Sequence, residues 1–213
     1  NETGAVNVGG VMAAEGVTNF ERAVARAMRS WIGVGGSRFH TGGDAASVDT
    51  VYLGVFRRSA LIAAGGYDPR FTRAQDWELN FRLRKAGGKV WFDPKLQVTY
   101  RPRSSVRSLA RQYFEYGRWR AAVSRYHKGT ANLRYLAAPL NLLLNLISLI
   151  LALFVSPWFL IAPIGYLLAV KLASLFIGKS WAERVRLPLV LIIMHFSWGF
   201  GFITSPRGLI SNS

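Results

Sequence analysis

The chain has 213 residues, 51% hydrophobic and 18% charged, with 27 Lys and Arg against 11 Asp and Glu for a formal charge of +16. This length holds one or two domains, and the positive surplus suits nucleic acid, anionic lipid or a phosphorylated substrate equally well. The absence of cysteine excludes disulfide scaffolds, thiolate zinc sites and cysteine nucleophiles.

Residues 6–12 have strand content and include the pair Gly9-Gly10. Thr18 or Asn19 then caps a helix expected to carry Phe20, Val24, Ala27, Met28 and Trp31 along one face. Residues 48–56, VDTVYLGVF, are β-rich with Asp49 as their one charge, which predicts a well-buried strand. Ser59 is placed to cap a short helix ended by Gly65 and Gly66, and a helix over 75–86 ends at Gly87. Residues 89–92 and 97–101 read as two short strands parted by Asp93-Pro94. Residues 105–126 read as one long helix rich in Arg and aromatics.

The sharpest change in composition follows Arg134, because no charged residue occurs from Tyr135 through Val170. About 20 apolar residues cross a bilayer. Ser156-Pro157 divides the run, so residues 135–155 and 158–177 are two predicted spans, the second carrying Lys171, and 187–203 is a shorter third. A soluble chain of this size has too little polar surface to cover three such stretches. Residues 1–134 hold 22 basic and 10 acidic groups, against 5 and 1 beyond. Arg125, Lys128 and Arg134 precede the first span and Lys179, Arg184 and Arg186 follow the second, which by the positive-inside rule puts 1–134 and the 178–186 loop in the cytoplasm.

The strongest chemical candidate is Asp76. It opens a predicted helix after the turn GGYDPRF, where backbone N–H groups and the helix dipole favour an ionised carboxylate. Such a carboxylate at a cleft mouth accepts a proton from an attacking hydroxyl. An arbitrary Asp at a helix start is more often structural, so the surrounding residues decide. His40 and His195 are far apart in sequence and lack the neighbours of a metal site, and each is read as structural.

GGYDPRF, AQDWELNFRLRKAGG, VWFDP and RQYFEYGRWR resemble the second half of family 2 glycosyltransferases. FERAVARAM, VGGSRFHTGG, VDTVYLGVFRR and MHFSWGFGF extend the likeness over nearly the whole chain, toward the bacterial succinoglycan-biosynthesis type. The resemblance implies an α/β chain: the C-terminal part of a GT-A fold followed by transmembrane α-helices. Its parts are an acceptor-side catalytic half over 1–104, a basic juxtamembrane helix over 105–134 and a membrane region over 135–213. It implies an inverting transfer from a nucleotide-sugar donor to a polyprenyl-linked saccharide acceptor at the bacterial inner membrane, on the cytoplasmic face, with no nucleic acid partner.

By the same resemblance Asp76 is the catalytic base, and Gln75 stands where the family usually has Glu. Asp68, Trp77 and Glu78 fall in the acceptor-side region. Arg118 would pair with donor diphosphate and Trp119 would pack on donor or acceptor, although a basic helix on anionic lipid accounts for Arg118 equally well. Arg107, Arg111, Arg120 and Arg125 are read as touching the membrane surface, with Tyr113, Phe114, Tyr116 and Trp119 at headgroup level. Gln112 precedes Arg118-Trp119 by six residues, a departure from the Gln-x-x-Arg-Trp spacing of processive members. The Mg²⁺ or Mn²⁺ site and the nucleotide pocket would lie upstream of this segment, with no metal ligands within it, so the segment alone is expected to be inactive. Two competing readings are a membrane-tethered module binding anionic lipid or nucleic acid, and a transporter, for which the spans offer only Lys171 and His195 as ionisable groups.

Overall fold

A computed structural model describes residues 2–210. The chain forms β1 (Asn7–Ala14), α1 (Asn19–Met28), α2 (Trp31–Val34), α3 (Arg38–Thr41), β2 (Ala46–Ser47), β3 (Tyr52–Phe56), α4 (Arg58–Ala63), α5 (Gln75–Lys85), β4 (Val90–Tyr100), α6 (Val106–Tyr126), α7 (Ala137–Phe154), α8 (Ile161–Ile177) and α9 (Trp181–Ile203). The four strands make one mixed sheet in the order β2-β4-β1-β3. β1 runs parallel to β4, and the outer pairs are antiparallel. The result is the expected α/β chain followed by apolar helices.

Local chemistry explains the main boundaries. At α1 the Thr18 hydroxyl accepts from the Glu21 N–H while the Glu21 carboxylate accepts from the Thr18 and Val17 N–H groups at 2.9 Å, a reciprocal cap. Val24, Ala27 and Met28 are buried as expected, but Trp31 is 75% exposed. Ser30 starts a separate helical turn there, so Trp31 leaves the face. Ser59 likewise lies inside α4, which starts after Arg57 without a side-chain cap.

The two strands expected around Asp93-Pro94 are one strand with a bulge. Gly9 pairs with Phe92 and Val11 with Gln97, so residues 93–96 loop out opposite Gly10. A Cβ at Gly10 would strike the Leu96 carbonyl, which explains the glycine. The expected buried strand over 48–56 is corrected more substantially. Its regular part is β3, on the sheet edge, where Leu53 and Val55 are 59% and 74% exposed; β-rich composition reports strand preference, not which strand ends at an edge.

The largest apolar cluster crosses the composition change at 134. It joins Met12 of β1, Val24 and Met28 of α1, and Leu109 and Tyr113 of α6 to Val170 of α8 and Leu187, Val190, Leu191 and Met194 of α9. A second cluster holds Phe71, Trp77, Trp119 and Val123, with Leu209 and Ile210 packed on it. Tyr113 and Trp119 therefore lie inside the protein, not at headgroup level. Three helical stretches among the described residues are long and apolar enough to cross a membrane: Ala137–Phe154, Pro157–Ile177 and Trp181–Ile203.

Candidate active site

The site is built around the turn leading into α5. Gly65 and Gly66 adopt φ of 75° and 69°, a backbone that suits glycine, and turn the chain after α4. Asp68 then fixes the loop by accepting from the Arg70 backbone N–H at 3.0 Å and from its guanidinium at 2.6–3.1 Å. That guanidinium holds the Asp68 carboxyl below its ordinary value, and it also donates to the Tyr126 phenol at 2.6 Å.

Behind the loop, Arg82 donates to the Ala64 and Gly66 carbonyls and, at 2.8 Å, to Glu78. Glu78 is buried and also meets His127 Nε2 at 3.1 Å. One carboxylate thus ties the turn, α5 and the end of α6 together. Two buried amides anchor α5 to the sheet: Asn7 donates to Asn80 at 2.6 Å and Asn80 to Thr50 at 2.9 Å.

α5 begins on Ala74, a non-glycine residue at φ 59° with no capping side chain. A left-handed non-glycine residue costs of order 1–3 kcal/mol, and such strain clusters at functional sites. Two residues on, Asp76 is exposed in the first helical turn. The Tyr67 phenol donates to its Oδ1 at 3.2 Å. Burial and then the Asp76 charge push the Tyr67 phenol above its ordinary value, and Tyr52 is raised by burial, by Tyr100 and by Asp76.

Tyr67 thus touches the candidate base, and Tyr52, which feels its charge, leads on to further phenols. Tyr52 meets Tyr100 edge to face at 6.2 Å, and Gln112 donates to the Tyr100 and Tyr116 phenols, both at 2.9 Å. The Gln112 carbonyl oxygen is buried with no partner among the described residues. Sequence reading did not assign Tyr52, Tyr67, Tyr100 or Tyr116 to the site. The one available signal was the Tyr in the GGYDPRF turn.

The other sequence-derived residues fall elsewhere. Trp77 is buried, stacked on Phe81 at 5.6 Å with the Arg120 guanidinium 4.7 Å from its ring. Trp119 is 5% exposed and packs on Phe71, while Arg118 pairs with Glu115 at 3.0 Å. Gln75 is half-buried at the first position of α5. Asp68, Trp77, Glu78 and Trp119 thus form the support joining α5 to α6, and Asp76 with Tyr67 forms the open face. Arg107 and Arg111 are exposed, whereas Arg120 lies between the Trp77 and Tyr135 rings and Arg125 donates to Ser205 and Pro206. Among the described residues no three His, Asp or Glu side chains gather closely enough to hold a metal.

No family model and no solved structure matches the chain. It is 34% identical over 206 residues to the succinoglycan biosynthesis protein ExoA of Rhizobium meliloti (strain 1021), covering 94% of this chain and 61% of that protein. This likeness supports the resemblance to family 2 glycosyltransferases. A second relative is 27% identical over 205 residues, 92% of this chain and 58% of its own length. It is the dolichyl N-acetyl-alpha-D-glucosaminyl phosphate 3-beta-D-2,3-diacetamido-2,3-dideoxy-beta-D-glucuronosyltransferase of Methanococcus voltae. The chain spans roughly three fifths of the length of these relatives. Both matches extend over more than nine tenths of this chain, so they take in polar half and apolar helices alike.

Proposed function

We propose that the protein transfers a sugar from a nucleotide-sugar donor to a lipid-linked saccharide, with inversion, in exopolysaccharide or cell-envelope glycan synthesis at the cytoplasmic face of a bacterial inner membrane. The observation that carries this reading is the exposed Asp76 carboxylate at the start of α5, held by the Tyr67 phenol. The acceptor hydroxyl gives its proton to Asp76 as its oxygen forms the new bond to the anomeric carbon. The bond from that carbon to the diphosphate oxygen breaks on the opposite face, so configuration inverts. Tyr67 orients the carboxylate, and the Tyr67 and Tyr52 phenols offer hydrogen bonds and ring faces to a saccharide.

Gln75, Trp77 and Glu78 set the position of Asp76 from within α5, and Asp68 and Trp119 set the position of α5 itself. Arg118 stands on the adjoining helix as a candidate for diphosphate. The Mg²⁺ or Mn²⁺ that the resemblance implies would neutralise the leaving diphosphate and would be held by residues outside this segment.

The test is transfer of radiolabelled sugar from a panel of nucleotide sugars to membrane lipid extract by full-length protein and its Asp76→Asn variant. Loss of a general base lowers rates by roughly 10²–10⁴-fold, and the variant is expected to fall in that range with its fold intact. Unchanged transfer would remove Asp76 as base. No transfer with any donor would favour the lipid-binding module.

A further inference from the structure

Both ends of α9 are fastened to the same body. At its start, Glu183 pairs with Arg26 of α1 at 3.3 Å and accepts from the Lys179 N–H at 2.8 Å. Just beyond its end, Arg125 of α6 donates to the Ser205 hydroxyl and the Pro206 carbonyl, both at 2.8 Å, and the Ser205 hydroxyl donates to the Arg118 carbonyl at 2.8 Å. Leu209 and Ile210 then pack on the cluster of Phe71, Trp77, Trp119 and Val123. α1, α5 and α6 all belong to the sheet-bearing half of the chain.

Between these ends α9 is lined by that half along its length. The Ile32 carbonyl meets His195 Nε2 at 2.9 Å, Leu187, Leu191 and Met194 share a cluster with Val24 and Met28, and α6 packs beside the helix. The α6 contact is a backbone approach, because a Cβ at Gly117 would strike the Trp198 carbonyl and one at Gly201 the Phe114 carbonyl. A 23-residue helix is about 34 Å long, enough to cross a bilayer core of about 30 Å. If α9 crossed, α6 would be drawn to the same depth with Arg107, Arg111, Arg118, Arg120 and Arg125, a set of cations the hydrocarbon rejects.

We infer that α9 lies along the membrane surface beneath the sheet-bearing half, and that the chain crosses the bilayer twice, through α7 and α8, not three times. The exposed large apolar residues of α9 fit this placement. Trp181, Val185, Leu189, Phe200 and Ile203 fall within an arc of about 100° on a helix of 3.6 residues per turn, opposite the buried Leu187, Val190 and Met194. The occupant of this stripe is the headgroup and acyl boundary of the bilayer that α7 and α8 enter. α7 and α8 meet α9 from the stripe's side, where Tyr166 stacks on Phe196 at 5.4 Å and Gly199 lies against Ala138. Their own outward residues, from Leu140 to Phe154 and from Trp158 to Phe176, continue the same apolar surface.

The inference rests on membrane insertion alone and does not depend on sugar transfer. This chain contains no cysteine, so it supplies no background thiol. Single cysteines at the exposed positions Lys128, Val155, Lys179 and Gly208 of the full-length protein, written K128C, V155C, K179C and G208C, are labelled with a membrane-impermeant maleimide. The unsubstituted protein is the control, and the vesicles are sealed and of opposite orientations. Positions 128, 179 and 208 are expected to react in one orientation and 155 in the other. Reaction of 208 together with 155 would show that α9 crosses, and reaction of all four in one orientation would show that the hairpin does not; either overturns the inference. A spin label at L189C supplies a second measure. It is expected within about 10 Å of the headgroup boundary, and a label at the bilayer centre would overturn the placement.

Discussion

His40 is a residue whose surroundings make a definite pH prediction. It sits in α3 with its ring 4.2 Å from Phe39, and its Nδ1 is buried with no partner among the described residues. Burial pulls the imidazole from 6.5 down to about 4. Between those values the unfolded chain binds a proton that the folded chain refuses, so this contribution to stability is present above pH 6.5 and falls as pH drops toward 4. Glu21 acts lower on the scale. Its carboxyl is held below its ordinary 4.5 chiefly by the Thr18 backbone N–H, so its contribution is lost as pH falls below that value. The melting temperature of detergent-solubilised protein is therefore expected to fall between pH 6.5 and 5, and His40→Gln to flatten that slope. An equal slope in the variant would assign the effect to other groups.

Among the elements, the α6–α9 seam reverses an ordinary rule. Replacing a mid-helix glycine by alanine normally stabilises a helix by up to about 1 kcal/mol. At Gly117 the added methyl meets the backbone of α9, which cannot rotate away as a side chain can. Gly117→Ala is expected to destabilise by about 1–3 kcal/mol, the usual cost of overpacking. Gly165 in α8 has open space where its Cβ would be, so Gly165→Ala is a matched control expected to be neutral or stabilising. Thermal unfolding of both variants in one detergent checks the contrast, and equal shifts would deny the close approach.

Elements set by local chemistry were readable in the sequence. The cap at Thr18 or Asn19, the α5 end at Gly87 and the apolarity of 187–203 needed nothing distant, and the structure puts the cap on Thr18. What escaped depends on tertiary placement. Tyr52, Tyr67, Tyr100 and Tyr116 come from two strands, a turn and α6, and no spacing rule joins them. Trp119 reads as a surface aromatic until α5 covers it. An apolar stretch looks the same whether lipid or a soluble helix covers it, and α9 has both.

For the whole molecule, the consequence is that the polar half does not close its own core. Leu187, Val190, Leu191 and Met194 are fully buried in the cluster with Val24, Met28 and Leu109. Each such side chain contributes about 1.5–3 kcal/mol when removed from water, so together they supply roughly 6–12 kcal/mol. That is comparable with the entire stability of an ordinary domain, about 5–15 kcal/mol. Cutting the protein after Arg134 removes all four and uncovers the face of α1 and α6 that they occupy. The truncated protein is expected to lose amide-exchange protection in α1 and α6 and to bind a hydrophobic dye, even in detergent that replaces the bilayer. Detergent can cover apolar surface but cannot reproduce the Arg26–Glu183 pair or the glycine seam. Retained protection in both helices after the cut would mean that the sheet-bearing half is an independent domain and that α9 merely rests against it.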